Sequence, residues 1–538
     1  MRLTRRRFVT HLLPGAALAL ALPPAKASPA ASFVHGVASG DPTATGILLW
    51  TRVAPRFETQ TEVTWEVAAD PEFERILRKG ATAALPARDY TVKVEVEGLE
   101  PGRDYFYRFR ALGAVSQTGR TLTLPVGPVE RFVVAACSCS NYPAGYFNAY
   151  RAMARTDDID VVLHLGDYIY EYEATGYASD RARELHRQSV PGHEVVSLQD
   201  YRLRHAQYKS DPDLQAAHAR HPFIVSWDDH ESANDAWRDG AQNHDASEGE
   251  WSLRRRAAMQ AYYEWMPIRE PRGDDPTASW RAFEIGDLAT LVMLETRLSA
   301  RSPQLDMPAS VEAGTLAGDL ADPARRLLAD EQRRFVAERL AGSREAGKPW
   351  QVFGNQVLMA QLTAPDLAEN MSPAEVEALP GYIRPYVEFT RLGVPLSADS
   401  WDGYAAERAW LLEQCRQTEA SPVVLSGDSH AAWALDVLDP AGGTPAAVEF
   451  GATSISSPGY PEALGLAPAR IEQMLREANG NLHHTDVAHR GFLALDLGRE
   501  RAEARYHVVD TVHSRRYETS ISRRMAVAPR RGRAPRWL

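Results

Sequence analysis

Five short apolar runs in this chain each end in side chains able to hold a metal ion or move a proton. Residues 132–136 lead into Cys137-Ser138-Cys139-Ser140-Asn141, and residues 159–165 into Gly166-Asp167-Tyr168-Ile169-Tyr170. Residues 223–227 end in Asp228-Asp229-His230-Glu231, residues 350–353 in Gly354-Asn355-Gln356, and residues 423–425 in Ser426-Gly427-Asp428-Ser429-His430. A single Asp after a strand is ordinarily a helix cap or turn former. Five tips that carry thiol, phenol, imidazole and carboxylate groups need another explanation. In an open α/β sheet, ligands bind at the C-terminal edge of the strands, so these residue types at this spacing predict a metal centre. Cys137 and Cys139 are two apart and share a face if the strand continues, so either could be a thiolate ligand. Cys415, on a helical stretch, is expected to be buried and inert.

Such tips need a scaffold that brings them to one edge. After residue 128, apolar runs alternate with long amphipathic stretches such as 252–266 and 324–340. That alternation predicts an α/β domain over residues 129–522, with a sheet layered between helices. Residues 172–195 and 360–400 read as irregular excursions that shape the site. Residues 33–128 have a different texture, with short alternating strands at 46–52, 62–67 and 91–96 separated by turns. They read as a small fibronectin- or immunoglobulin-like β-sandwich. In it, Leu99-Glu100-Pro101-Gly102-Arg103-Asp104-Tyr105-Phe106-Tyr107 forms a corner where a Tyr hydroxyl pins the turn.

The chain of 538 residues is 44% hydrophobic, which excludes a disordered protein, and its three cysteines exclude a disulfide framework. A net charge of −11 argues against nucleic-acid specificity. Thr4-Arg5-Arg6-Arg7-Phe8-Val9, the apolar stretch 8–22 and Ala25-Lys26-Ala27 read as a twin-arginine signal peptide spanning residues 1–27. Its removal takes away five basic groups and no acid, and moves the net charge from −11 to −16. No later stretch is apolar enough to anchor the cleaved chain in a membrane. Residues 523–538 hold six Arg and no acid, and are expected to form a mobile, solvated basic tail.

Taken in order, the motifs resemble the PhoD-type alkaline phosphatase/phosphodiesterase family of calcineurin-like metallophosphatases. They are GVASGDP (36–42), LLWTR (48–52), SCSN (138–141), HLGDYIYEY (164–172), WDDHE (227–231), AYYEWMPIR (261–269), FGNQ (353–356), WDGY (401–404), SGDSHAAW (426–433) and EFGATSISSPG (449–459). The set spans the whole mature chain. The resemblance implies a metallophosphatase-like catalytic domain behind the sandwich. It also implies one Fe³⁺ held by Cys139, Asp167, Tyr170 and His430, with Asp167 bridging to a neighbouring ion. That neighbour would take Asp229, Asn355 and Asp428 as well. Thiolate, phenolate and imidazole suit a transition metal, whereas an all-oxygen set suits Ca²⁺, of which one or two are implied. The resemblance assigns the thiolate to Cys139 and leaves Cys137 to the core. It also places His230 toward the phosphate as electrophile or proton donor. A helix expected over residues 144–155 would present its N-terminus and Asn141 to the same anion.

The activity implied is alkaline hydrolysis of small phosphate monoesters and diesters by a metal-bridging oxide or hydroxide. The protein would be exported by the twin-arginine machinery to a periplasmic or secreted location. Two alternatives remain at this point. One is a phospholipase D-like phosphodiesterase acting on phospholipid head groups, which an apolar rim on residues 360–400 would favour. The other is a non-catalytic surface-binding protein that uses the sandwich and keeps its metals for structure. Arg297, after Glu295-Thr296 at a strand end, is expected to hold a network together.

Overall fold

A computed structural model describes residues 33–54, 59–271, 273–381, 383–440 and 442–538. The expected signal peptide, residues 1–27, lies outside them. Two large sheets face each other, with helices on their outer faces. In the ten-stranded sheet, Arg131–Cys137, Val161–His164 and Phe223–Val225 run parallel as neighbours. In the seven-stranded sheet, Ala289–Met293, Trp350–Gly354, Pro422–Ser426 and Pro445–Gly451 do the same. The expected single sheet between helices is therefore a pair of sheets.

Side-chain alternation along one strand shows why. Phe132, Val134 and Ala136 pack between the sheets with Met293, Val352 and Leu425. Val133, Ala135 and Cys137 face the helices with Phe147, Tyr150 and Met259. A strand buried on both faces reads as an unbroken apolar run, so the run alone cannot tell what covers each face. The two sheets meet at the C-terminal ends of their parallel strands, where Ser138 and Ser454 form a parallel bridge. There a Cβ on Gly166 would lie 2.3 Å from Asp228 Cβ, and one on Gly427 would lie 2.6 Å from Ser138 Oγ. Gly166 also has φ +117°. Only glycine admits so close an approach.

The helix Trp251–Trp265 forms as its apolar spacing indicates. The expected helix over residues 324–340 begins only at Asp330, in the helix Asp330–Glu345. Before it, the Leu327 and Leu328 amides donate to the Glu407 carboxylate at 3.0 Å each, which holds that stretch out of a helix. Cys415 is buried in the helix Ala405–Gln417.

At residues 33–128, a five-stranded sheet built on Thr61–Ala68 and Asp104–Ala111 packs over Val37–Gly40, Gly46–Arg52 and Thr91–Glu97. Tyr105 pins the corner: its hydroxyl donates to the Glu100 carbonyl at 3.0 Å and accepts from the Glu100 amide at 2.8 Å. The lower layer of this sandwich continues the ten-stranded sheet, with Gly40 pairing in parallel with Phe223. The sandwich is thus joined to the site-bearing strands by backbone hydrogen bonds.

The C-terminal tail departs from expectation. Residues 523–528 belong to the strand Thr519–Ala528, and Arg536–Trp537 pairs beside it at the sheet edge. Val527 is buried and Trp537 packs against the inter-sheet core. Arg524 and Arg531 pair outward with Glu503 and Glu419. In this strand only Val527 is buried, with Met525 partly covered by the same core, and the arginines dominate the composition. Among the described residues, no helix is long and apolar enough to cross a membrane.

Candidate metal centre

Three strand tips meet first. Ligand atoms of Cys139, Asp167 and His430 lie within 4.8 Å of one another. The Tyr170 hydroxyl joins them, donating to Asp167 Oδ2 at 3.0 Å and lying 3.4 Å from His430 Nε2. Cys139 is buried past the end of its strand, whereas Cys137 sits among core side chains on the helical face. After the chain's turn past Cys137, it is the Cys139 thiol that lies with Asp167 and His430. His430 Nδ1 lies 2.6 Å from the Pro458 carbonyl. A carbonyl only accepts, so Nδ1 carries the hydrogen and Nε2 keeps its lone pair for a metal. Burial also lowers the His430 pKa to about 4, which keeps the ring neutral.

A second cluster shares Asp167. Carboxylate oxygens of Asp167, Asp228, Asp229 and Asp428 fall within 4.8 Å of one another. Asp167, Asp428, Cys139 and His430 all adopt positive φ, between 53° and 64°. Such strain in non-glycine residues persists where the surroundings over-determine it, as at ligand sites. Glu231 provides part of that constraint. It accepts from the Asp167 and Asp228 amides at 3.0 and 2.7 Å and from the Tyr168 amide at 2.5 Å, stapling two strand tips together.

The electrostatics favour a cation. Burial, then the neighbouring carboxylates, push Asp167 and Asp428 well above the usual carboxylate range. Burial pushes Asp228 up to about 6, although Arg297 opposes the shift. Asp229 moves down instead, because Arg297 and His230 outweigh its burial. Asp167 Oδ1, Asp228 Oδ2 and Asp229 Oδ1 are buried without a hydrogen-bond partner. Buried acceptors in native proteins are nearly always satisfied, so these orphaned oxygens fit a bound metal ion.

Arg297 is fully buried and joins the site to its surroundings. It binds Asp228, holds Asp399 at 2.6 and 2.7 Å, and lies 3.7 Å from Asp229. Asn355 is also buried: its Oδ1 accepts from Trp401 Nε1 at 3.1 Å and its Nδ2 donates to the Val357 carbonyl. Oδ1 retains a second lone pair for an ion.

His230 stands beside both clusters. Its Nδ1 lies 2.8 Å from Glu171 Oε2, and its ring centre is 4.2 Å from that of Tyr170. Burial alone would strip its proton, but Asp229, Glu171 and Asp167 outweigh burial and hold its pKa well above 6.5. Asn141 Nδ2 is a buried donor with no partner, while Asn141 Oδ1 accepts from the Ala144 amide at 3.3 Å. The helix expected to start at residue 144 spans only Asn148–Ala154. Its first residue, Asn148, donates through its side chain to the Thr511 and Ser514 carbonyls at 2.7 and 2.8 Å, and the helix begins seven residues after Asn141.

Glu171, Asp228, Glu231, Asp399 and Ser457 received no role from the sequence. Ser457 Oγ lies 2.7 Å from the Tyr170 hydroxyl and 2.9 Å from the Cys139 carbonyl. Of these, Asp228 and Glu231 carried a signal as carboxylates of one strand tip.

Comparison with known proteins follows this geometry. A family model described as PhoD-like phosphatase matches residues 132–506, and one described as PhoD-like phosphatase, N-terminal domain, matches residues 17–125. Alkaline phosphatase D of Bacillus subtilis (strain 168) is 37% identical over 447 residues, which is 79% of this chain and 70% of that protein. A solved structure titled Structure of PhoD superposes with a TM-score of 0.79 at 32% identity, covering 94% of this chain and 92% of the other.

Proposed function

The chain belongs to the PhoD-like phosphatase family, a family of phosphoric ester hydrolases, and from that premise we propose that it hydrolyses phosphate monoesters and diesters at a buried metal centre of one Fe³⁺ and one or two Ca²⁺. The observation that carries this reading is the pair of ligand clusters sharing Asp167, with three orphaned carboxylate oxygens between them.

Cys139, Asp167, Tyr170 and His430 would hold Fe³⁺; Asp167, Asp229, Asn355 and Asp428 would hold Ca²⁺, and a second Ca²⁺ fits the surplus of acid around Asp228. When bound, the ions supply positive charge to the phosphoryl oxygens and acidify the attacking water. His230, oriented through Nδ1 by Glu171, presents Nε2–H to the phosphoryl group or to the departing ester oxygen. The free Asn141 Nδ2–H donates to a second phosphoryl oxygen. Arg297, already neutralised by Asp228 and Asp399, positions carboxylates and does not meet substrate. Residues 4–9 and 25–27 support twin-arginine export to a periplasmic or secreted location.

The test is elemental analysis paired with rates on a monoester and a diester, for the native protein and an Asp167→Ala variant. Iron and calcium in the native protein, with both ions and turnover lost in the variant, are expected. Turnover retained by Asp167→Ala would overturn the metal mechanism. Native protein without iron would overturn the ion assignment.

A further inference from the structure

Two buried serine hydroxyls touch ligand atoms of the first cluster. Ser138 Oγ lies 3.1 Å from Cys139 Sγ, and Ser457 Oγ lies 2.7 Å from the Tyr170 hydroxyl. Only 1% of Ser138 and none of Ser457 is exposed. Their contacts fall on the thiol and the phenol, the groups that with His430 suit this cluster to a transition metal. Ser138 belongs to the SCSN motif and Ser457 to EFGATSISSPG.

Residues 454–457 fix where both hydroxyls lie. Ser138 bridges Ser454 in parallel register, and the Ile455 amide donates to the Ser138 carbonyl at 3.0 Å. The Ser457 carbonyl accepts from Ser454 Oγ and from Arg490 Nε, both at 2.8 Å. The direction of the hydrogens follows from counting them. Ser457 Oγ has one hydrogen and two neighbouring oxygens, the Cys139 carbonyl at 2.9 Å and the Tyr170 hydroxyl at 2.7 Å. That carbonyl already accepts from the Ser456 and Ser457 amides at 3.4 and 3.3 Å. A tyrosine bound to iron as phenolate has no hydrogen to give, so the Ser457 hydrogen turns to it. The Ser138 hydrogen turns to sulfur for the same reason, since a cysteine ligand is a thiolate.

We propose that Ser138 and Ser457 are positioning residues that tune the iron ligands, each donating one hydrogen bond to an atom that would bind Fe³⁺. The proposal rests on the Fe³⁺ assignment above and adds two residues outside the ligand set. A hydrogen bond to an anionic ligand draws charge off it, so less of the positive charge meant for the phosphoryl oxygens is cancelled. Hydrogen bonds to cysteine sulfur set the potential of copper and iron–sulfur centres in the same way. Without its serine, the thiolate or phenolate becomes more electron-rich. The ferric state is then favoured over the ferrous, and less energy moves an electron from ligand to metal.

The test is visible absorption and a reductive titration of the iron-loaded full-length protein, beside Ser138→Ala, Ser457→Ala and Ser456→Ala. Iron is counted in each, and any variant isolated with less is reloaded with Fe³⁺ before measurement. Ser456 is the control, because its hydroxyl donates to the Asn141 carbonyl at 2.8 Å and not to a ligand atom. In Ser138→Ala and Ser457→Ala the charge-transfer band is expected to move to longer wavelength and the reduction potential to fall. Ser456→Ala should match the wild type in both. A band and potential unchanged in Ser138→Ala and Ser457→Ala, or shifted equally in Ser456→Ala, would overturn the proposal and leave the Fe³⁺ assignment intact. A wild type that lacks iron or the band would instead overturn that assignment, and this proposal with it. Wild-type turnover of a monoester, recorded in parallel, tests the phosphatase reading on its own.

Discussion

His230 Nδ1 and Glu171 Oε2 lie 2.8 Å apart, with Glu171 fully buried. Glu171 also accepts from the Asn234 amide at 2.7 Å and the Asn243 side chain at 2.9 Å, so the carboxylate cannot turn away. The imidazole therefore has one orientation, and cations that occupy Asp167 and Asp229 leave Glu171 as its remaining anionic partner.

Glu171→Gln should lower kcat by about 10–100-fold, the usual cost of losing an orienting partner of an active-site histidine, with little change in metal content. The loss should be larger for alkyl phosphates than for nitrophenyl phosphate, because a poor leaving group depends more on a proton from His230. Rates on both substrates, with elemental analysis, check this. Equal losses would remove His230 from the proton-donor role.

Removal of the buried guanidinium in Arg297→Gln leaves Asp228 without its cation and Asp399 with Arg301 alone. Destabilisation of about 3–5 kcal/mol is expected when divalent ions are absent. Added Ca²⁺ should then recover more stability in the variant than in the wild type, since a positive charge 3.7 Å from Asp229 has gone. Denaturant melts with and without Ca²⁺ measure both effects.

Glu449 supplies a pH dependence remote from the proposed ligands. It is buried and accepts from the Met359 and Ala360 amides at 2.8 and 2.6 Å, and burial pushes its pKa up from 4.5 to about 7. Between those values the folded chain keeps a proton that the unfolded chain has lost. Stability from this group therefore falls as pH rises from 4.5 to about 7, and the loss is complete above that. In Glu449→Gln this component, about 1–3 kcal/mol in size, should vanish from the slope of stability against pH. An unchanged slope in denaturant melts at pH 5, 6 and 7 would contradict the assignment.

Trp537 tests the folded tail. Its Nε1 donates to Asp436 Oδ1 at 2.9 Å, and its ring meets Phe450 edge-on at 5.6 Å. Trp537→Ala should cost about 2 kcal/mol, less than a core tryptophan because one side is open. A variant as stable as the wild type would mean that the last strand does not hold the sheet edge.

Sequence alone indicated which strand tips come together. Asp167, Asp229, Asp428 and His430 each follow an apolar run, and parallel strands buried on both faces deliver their C-terminal ends to one edge. The Tyr105 corner was legible for a related reason, because it joins residues only five apart. Tertiary structure decided whatever depends on pairs far apart in the chain. Glu171 meets His230 across 59 residues and Arg297 meets Asp399 across 102, and no local periodicity records such pairs. It also separated Cys137 from Cys139, since the backbone adopts φ 60° at Cys139 and brings that thiol near Asp167, while Cys137 lies in the core. The tail belongs here too. Composition reports its arginines, but only pairing with a neighbouring strand shows that Val527 and Trp537 have a core to cover.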